Sequence, residues 1–225
     1  MKHFFRSIVI LVWKDILIDF RRKEHLLSMF FFSVVTLLIF YFAMGDRPRL
    51  FQAIVPGIIG VTFLLAGVLG LSKSFTQEIE NGCLGGLLLT PVDRGTLFLG
   101  KMLGTLFFLF ILQILVIPLC LLFFDISVNN WNLLLLALVA GTVGFSALGT
   151  LLAAMTASLK GKEVLLPMLL FPLILPNLIS VVKITSSILL KSNLDSLSPW
   201  WKLFIGFDVV FTVAAYLGFE FIIEE

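Results

Sequence analysis

The chain has 225 residues, of which 60% are apolar and 13% charged, with a formal net charge of +2 and a mean hydropathy of +1.11. A soluble domain carries about a quarter charged residues, so this composition excludes a water-dissolved globular domain and a basic nucleic-acid binder. With 24 phenylalanines and long uncharged runs, the chain uses lipid as its solvent. Its two cysteines, Cys83 and Cys120, lack the spacing of a disulfide framework or a zinc site.

Residues 1–25 do not read as a span. Phe4, Phe5, Ile8, Val9, Leu11, Val12, Ile16, Leu17 and Phe20 recur near helical spacing, with Lys14, Asp15, Asp19 and Arg21-Arg22-Lys23 on the polar side. The pattern predicts an amphipathic helix in the cytoplasmic interface, its basic residues against anionic headgroups. Packing of the same helix on the spans is compatible with that placement. The early charges and the missing small-residue cleavage site argue against a cleavable leader.

Residues 26–225 form the predicted six-span domain. Its apolar runs have the length a bilayer requires: Leu26–Met44, Leu50–Leu71, Met102–Phe124, Trp131–Ser158, Val164–Val182 and Trp200–Ile223. The breaks are Gly45-Asp46-Arg47-Pro48-Arg49, the polar stretch Asp125–Asn130, the turn Lys160-Gly161-Lys162-Glu163, and the longest, residues 72–101. Ile184–Leu197 reads as a short outer amphipathic segment. Eleven basic residues (Lys2, Arg6, Lys14, Arg21, Arg22, Lys23, Lys73, Arg94, Lys101, Lys160, Lys162) fall on one side. Five (Arg47, Arg49, Lys183, Lys191, Lys202) fall on the other. The positive-inside rule then puts both termini and the 72–101 loop in the cytoplasm, and leaves Trp131, Trp200 and Trp201 at outer span ends.

The loop SKSFTQEIENGCLGGLLLTPVDRGTLFLGK holds most of the functional information. A polar helical stretch with Glu78 and Glu80 leads to Gly82. A short apolar run, Leu84 to Leu89 and including Leu87 and Leu88, is stopped by Pro91. Such an element can offer apolar and acidic side chains to a soluble partner, or form an interfacial or re-entrant segment that completes packing. Gly95 to Lys101 fits the first seven positions of a phosphate-binding loop, but Met102 lacks the magnesium-binding hydroxyl and no strand precedes it. Lys101 is expected to snorkel to the interface. Leu84-Gly85-Gly86, outside any ATPase domain, carries no meaning of its own.

Chemistry within the spans is sparse. Asp208 sits deep in the sixth run, where a carboxylate is costly unless paired, protonated or facing water; Lys183 is a candidate partner, the alternative being a bond from Asp208 to a neighbouring helix. Pro167, Pro172 and Pro176 are candidate kinks in the fifth run. Gly100-xxx-Gly104, Ala140-xxx-Gly144 and Gly149-xxx-Ala153-xxx-Ala157 allow close helix approach. His3 and His25 are the only histidines, and no Cys-x-x-Cys-His occurs, so no resident haem is expected. No catalytic constellation or metal set is legible. A stand-alone secondary transporter or channel is the alternative function, but it calls for ionisable groups in several spans, and Asp208 is nearly alone.

The order of elements resembles permeases of the ABC-2 type, and more narrowly the CcmB family of the cytochrome c maturation haem exporter. The matching stretches are Pro56-Gly57-Ile58-Ile59, Glu80-Asn81-Gly82-Cys83-Leu84, Leu87 to Arg94, Gly100-Lys101, Gly141-Thr142, Gly144-Phe145, Leu148-Gly149, Leu159 to Leu166, and Pro172 with Pro176. The family usually carries an acid where this chain has Gly85, which shifts contact onto Glu78 and Glu80. The resemblance implies an inner-membrane permease with no enzymatic activity of its own, coupled to a separate ATPase. Glu78, Glu80, Gly82, Leu84, Leu87, Leu88, Pro91 and Arg94 would form the coupling loop. It further implies a homodimer bound to a CcmA-like ATPase that holds ATP and magnesium, with CcmC- and CcmD-like subunits. The chaperone CcmE would be reached indirectly, with haem transported or handled.

Overall fold

The computed structural model describes residues 2–21, 24–45, 48–80, 93–128, 130–157, 159, 161–190 and 197–222. The fold is all-α: α1 (Lys2–Arg21), α2 (Glu24–Met44), α3 (Pro48–Glu80), α4 (Arg94–Phe123), α5 (Trp131–Ala157), α6 (Lys162–Leu189) and α7 (Ser198–Ile222). From α2 onward each helix contains a stretch long and apolar enough to cross a bilayer, so the six predicted spans are present.

Their limits differ from the hydropathy reading in three places. The third span does not wait for Met102: the helix starts at Arg94 and carries Lys101 inside it. The fifth continues past Lys183 to Leu189, so Ile184–Leu189 completes a span and does not start a separate amphipathic segment. The second extends to Glu80. At 1.5 Å per residue its 33 residues measure about 50 Å, more than the roughly 30 Å of hydrocarbon, so its last turns stand clear of the lipid core. Gly161 starts α6 from a left-handed conformation, φ 84°, which glycine adopts without steric cost.

Two-thirds of the α3 and α5 spans is enclosed by other helices, against a third or less in the remaining four. These two therefore form the centre, and the outer four present apolar side chains such as Phe42, Ile114, Leu122 and Met168 to lipid. Lipid tails are as apolar as leucine, so association here depends on close packing and hydrogen bonds. Small residues serve the first need: Ala137, Ala147 and Ala153 of α5 are buried. Hydroxyls along the spans turn back onto their own helices: Ser33 to Met29 O and Thr156 to Leu152 O at 2.8 Å, and Ser180 to Pro176 O at 2.8 Å.

The apolar interior falls into two clusters. The larger joins α2 through α7 around Leu37, Ile58, Leu109, Leu134, Phe145 and Leu170. The smaller binds the loop-side end of α4 (Leu97, Phe98, Met102) to Leu11 of α1, Ala147 of α5 and Ala215 and Phe219 of α7. Phe98 is fully buried there, its ring centroid 5.3 Å from that of Phe219.

Candidate functional site

The first candidate region is the loop-side end of the bundle. Glu78 and Glu80 lie on the last turn of α3, and Arg94 opens α4, so both ends of the predicted coupling loop are carried on helices. Gly82, Leu84, Gly85, Leu87, Leu88 and Pro91 lie outside the described residues. Beside α4 lies α1. Gly100 and Gly104 make a smooth strip on α4: a Cβ at Gly100 would stand 2.9 Å from Leu11 Cβ, and one at Gly104 3.3 Å from Asp15 Oδ2. The helices meet at that strip, and between the two glycines Lys101 Nζ reaches Asp15 Oδ2 at 3.2 Å and Oδ1 at 3.3 Å. The same carboxylate takes Lys14 Nζ at 3.1 Å. Lys101 and Asp15 keep only 10% and 12% of their side-chain surface exposed. Lys101 therefore does not snorkel outward as the sequence suggests; it turns inward because α1 supplies its counter-charge.

This also accounts for the phosphate-loop-like string. A phosphate cradle needs free amides in a loop ahead of a helix. Here the string from Gly95 to Lys101 is itself helical, and Leu97 N already donates to Asp93 O at 3.1 Å. Gly95 leaves room for the Tyr216 hydroxyl, Gly100 for Leu11, and the lysine serves an ion pair. All three are packing devices.

The second region lies at mid-depth. Asp208 is ten residues into α7, about 15 Å from its start. Its Oδ1 accepts a 2.7 Å hydrogen bond from Asn177 Nδ2 of α6. Both groups close over Gly144 of α5, where a Cβ would overlap Asp208 Oδ1 and come within 2.5 Å of Asn177 Nδ2. The Lys183–Asp208 pair does not form. Lys183 is exposed, and six residues beyond Asn177 it is turned about 120° around α6 away from the Asp208 side. The other branch of the sequence argument describes the molecule: Lys183 points outward and Asp208 bonds to a neighbouring helix. Pro167, Pro172 and Pro176 all lie inside α6, and Pro176 immediately precedes Asn177.

The role of Asp208 is then one of hydrogen bonding. Asp208→Asn, which keeps an acceptor facing Asn177, is expected to leave thermal stability in detergent within about 1 kcal/mol of wild type. Asp208→Leu should lose about 2 kcal/mol by leaving the buried amide unpaired. Lys183→Met should change little and should not rescue Asp208→Leu. Rescue would restore the ion pair as the correct description.

Asn177 and Gln113 were not singled out from sequence, although each is an amide inside an apolar run. Gln113 Nε2 of α4 donates to Leu138 O at 3.1 Å and to Thr142 Oγ1 at 2.9 Å, and the Thr142 hydroxyl reaches Leu138 O at 2.6 Å. Polar side chains thus tie α4 to α5, and α6 to α7.

Six membrane-length helices, joined at mid-length by the Gln113–Thr142 and Asn177–Asp208 hydrogen bonds, define an all-α, multi-pass membrane permease. Among the described residues no three His, Cys, Asp or Glu side chains form a metal-binding group. The family model of the CcmB protein matches residues 6–220, and the chain belongs to that family. Heme exporter protein B of Pseudomonas aeruginosa is 34% identical over 160 residues, 71% of this chain and 72% of that protein. The protein of the same name from Haemophilus influenzae is 30% identical over 169 residues, 75% and 76% of the two chains. The one from Rhodobacter capsulatus is 33% identical over 150 residues, 67% and 68%.

Proposed function

We propose that this chain is the membrane subunit of an ABC-type haem exporter serving cytochrome c maturation in a bacterial inner membrane. Family membership over residues 6–220 is the observation that carries the reading. In it, both termini and the segment between α3 and α4 face the cytoplasm, and α1 lies along the interface, docked on the six-span domain. The segment from Glu78 to Arg94 docks a CcmA-like ATPase, which binds ATP and magnesium. Glu78 and Glu80 offer charge to that partner and Leu84, Leu87 and Leu88 offer apolar surface. The position of the loop supports this: it connects α3, a central helix, to α4, so a push on it reaches the core and the membrane midplane directly.

CcmC- and CcmD-like subunits, and through them the chaperone CcmE, complete the pathway. Haem is the handled species, and its path lies against partner subunits. Among the described residues, one cavity between four helices, about 40 Å³, has room for water.

Co-expression with the candidate ATPase tests the reading. The two should co-purify. Glu78→Lys/Glu80→Lys and Pro91→Ala should weaken the complex while the permease still folds, and deletion of the gene should remove c-type cytochromes. A chain that purifies alone and transports down an ion gradient would establish the secondary-transporter alternative.

A further inference from the structure

Between α3, α4, α5 and α6 lies the cavity of about 40 Å³, its walls almost wholly apolar, with Ile59, Phe63 and Phe145 among them. Two polar side chains also line it, Gln113 and Asn177, and they are only 7% and 3% exposed. Their amide nitrogens are committed elsewhere, Gln113 Nε2 to Leu138 O and Thr142 Oγ1, Asn177 Nδ2 to Asp208 Oδ1. Neither Gln113 Oε1 nor Asn177 Oδ1 receives a hydrogen bond from any described residue. Fully buried side-chain oxygens without a partner are, among the described residues, those of Thr62, Thr150, Thr185 and Thr212, so each of the two amide oxygens keeps a little accessible surface. Two strong acceptors without a protein partner therefore belong to side chains that line a cavity between four helices.

We propose that this cavity is a hydration site, in which water donates to Gln113 Oε1 and Asn177 Oδ1 and bridges α4 to α6 at the membrane midplane. The chemistry selects the occupant. A hydrocarbon or a gas atom would leave both carbonyl oxygens unpaired, each costing about 1–3 kcal/mol. A bare cation needs about six or more oxygen ligands, and two neutral amides do not supply them. Water fits the volume, which holds roughly one or two molecules, and supplies the donors that both oxygens lack. The bridge also suits the helix it holds. Pro172 and Pro176 remove two amide donors just before Asn177, so α6 is weakened there. A water-mediated contact can lengthen or re-form as α6 bends without orphaning either amide.

Xenon tests the proposal on the full chain in detergent or in its complex, since a dry apolar cavity admits the gas and a hydrated one does not. In the wild type under xenon pressure, the expected result is no xenon in this cavity. A structure near 2 Å resolution should show density about 2.7–3.2 Å from both amide oxygens. Gln113→Met keeps the bulk and removes one acceptor, and should convert the cavity into a xenon site. Xenon in the wild-type cavity, or a cavity empty of both xenon and water, would overturn the proposal. The wild-type arm decides the matter alone if the variant does not fold.

Discussion

Gly144→Ala is expected to destabilise the protein by about 1–5 kcal/mol, although alanine is the better helix former. Overpacking a close contact costs about 1–3 kcal/mol, and losing the hydrogen bond that closes over this glycine adds about 1–3 kcal/mol. The gain in helix propensity returns about 1 kcal/mol. The new Cβ would overlap Asp208 Oδ1 and crowd Asn177 Nδ2, so α6 and α7 cannot both keep their positions on α5. The control is the same substitution at Gly57 of α3, where a Cβ meets nothing within 4 Å. There the propensity gain should act alone, stabilising by about 0.5–1 kcal/mol. Thermal unfolding of the two variants in the same detergent should therefore move in opposite directions. Adding Asp208→Ala to Gly144→Ala removes the overlapping atoms and should recover part of the loss. Equal stability of Gly144→Ala and wild type would show that the three helices do not meet at this glycine.

The contrast between these glycines marks where sequence ceases to inform. Hydropathy located the six spans because lipid demands an unbroken apolar stretch, and α2 is a case where run and span coincide at Leu26–Met44. The same logic misplaced the start of α4 and the end of α6, and for one physical reason. Lys101 and Lys183 look like interface residues in a linear reading. Yet Lys101 is enclosed with Asp15, and Lys183 projects from a helix that simply continues. The small-xxx-small spacings announced close approach without saying to what. Gly100 meets Leu11 and Gly144 meets a polar pair, and nothing in the spacing distinguishes them. Asn177 and Asp208 are 31 residues apart on different helices, so no local motif records their bond. Asn177 and Gln113 were nevertheless detectable in principle, because an amide in the middle of a span must find a partner.

The second large effect is expected at the contact between α1 and α4. Lys101→Met removes the inward counter-charge of Asp15, whose partner lies 86 residues away in the chain. Removing one member of a buried pair costs about 3–5 kcal/mol, because the survivor is left uncompensated. Here Lys14 still reaches the carboxylate at 3.1 Å, which lowers the expectation to about 2–3 kcal/mol. Asp15→Leu alone should also destabilise, by removing the carboxylate that both Lys101 and Lys14 reach. Combining Lys101→Met with Asp15→Leu replaces the pair by apolar bulk, and apolar replacements of buried pairs are often neutral or stabilising. The double variant should therefore unfold within about 1 kcal/mol of wild type, far from the sum of the single losses. Protease sensitivity of α1 should follow the same pattern, raised in each single variant and restored in the double. Such non-additivity identifies a direct interaction. Strictly additive losses would mean that α1 is held on α4 by Leu11 and the glycine strip alone, with the ion pair contributing nothing.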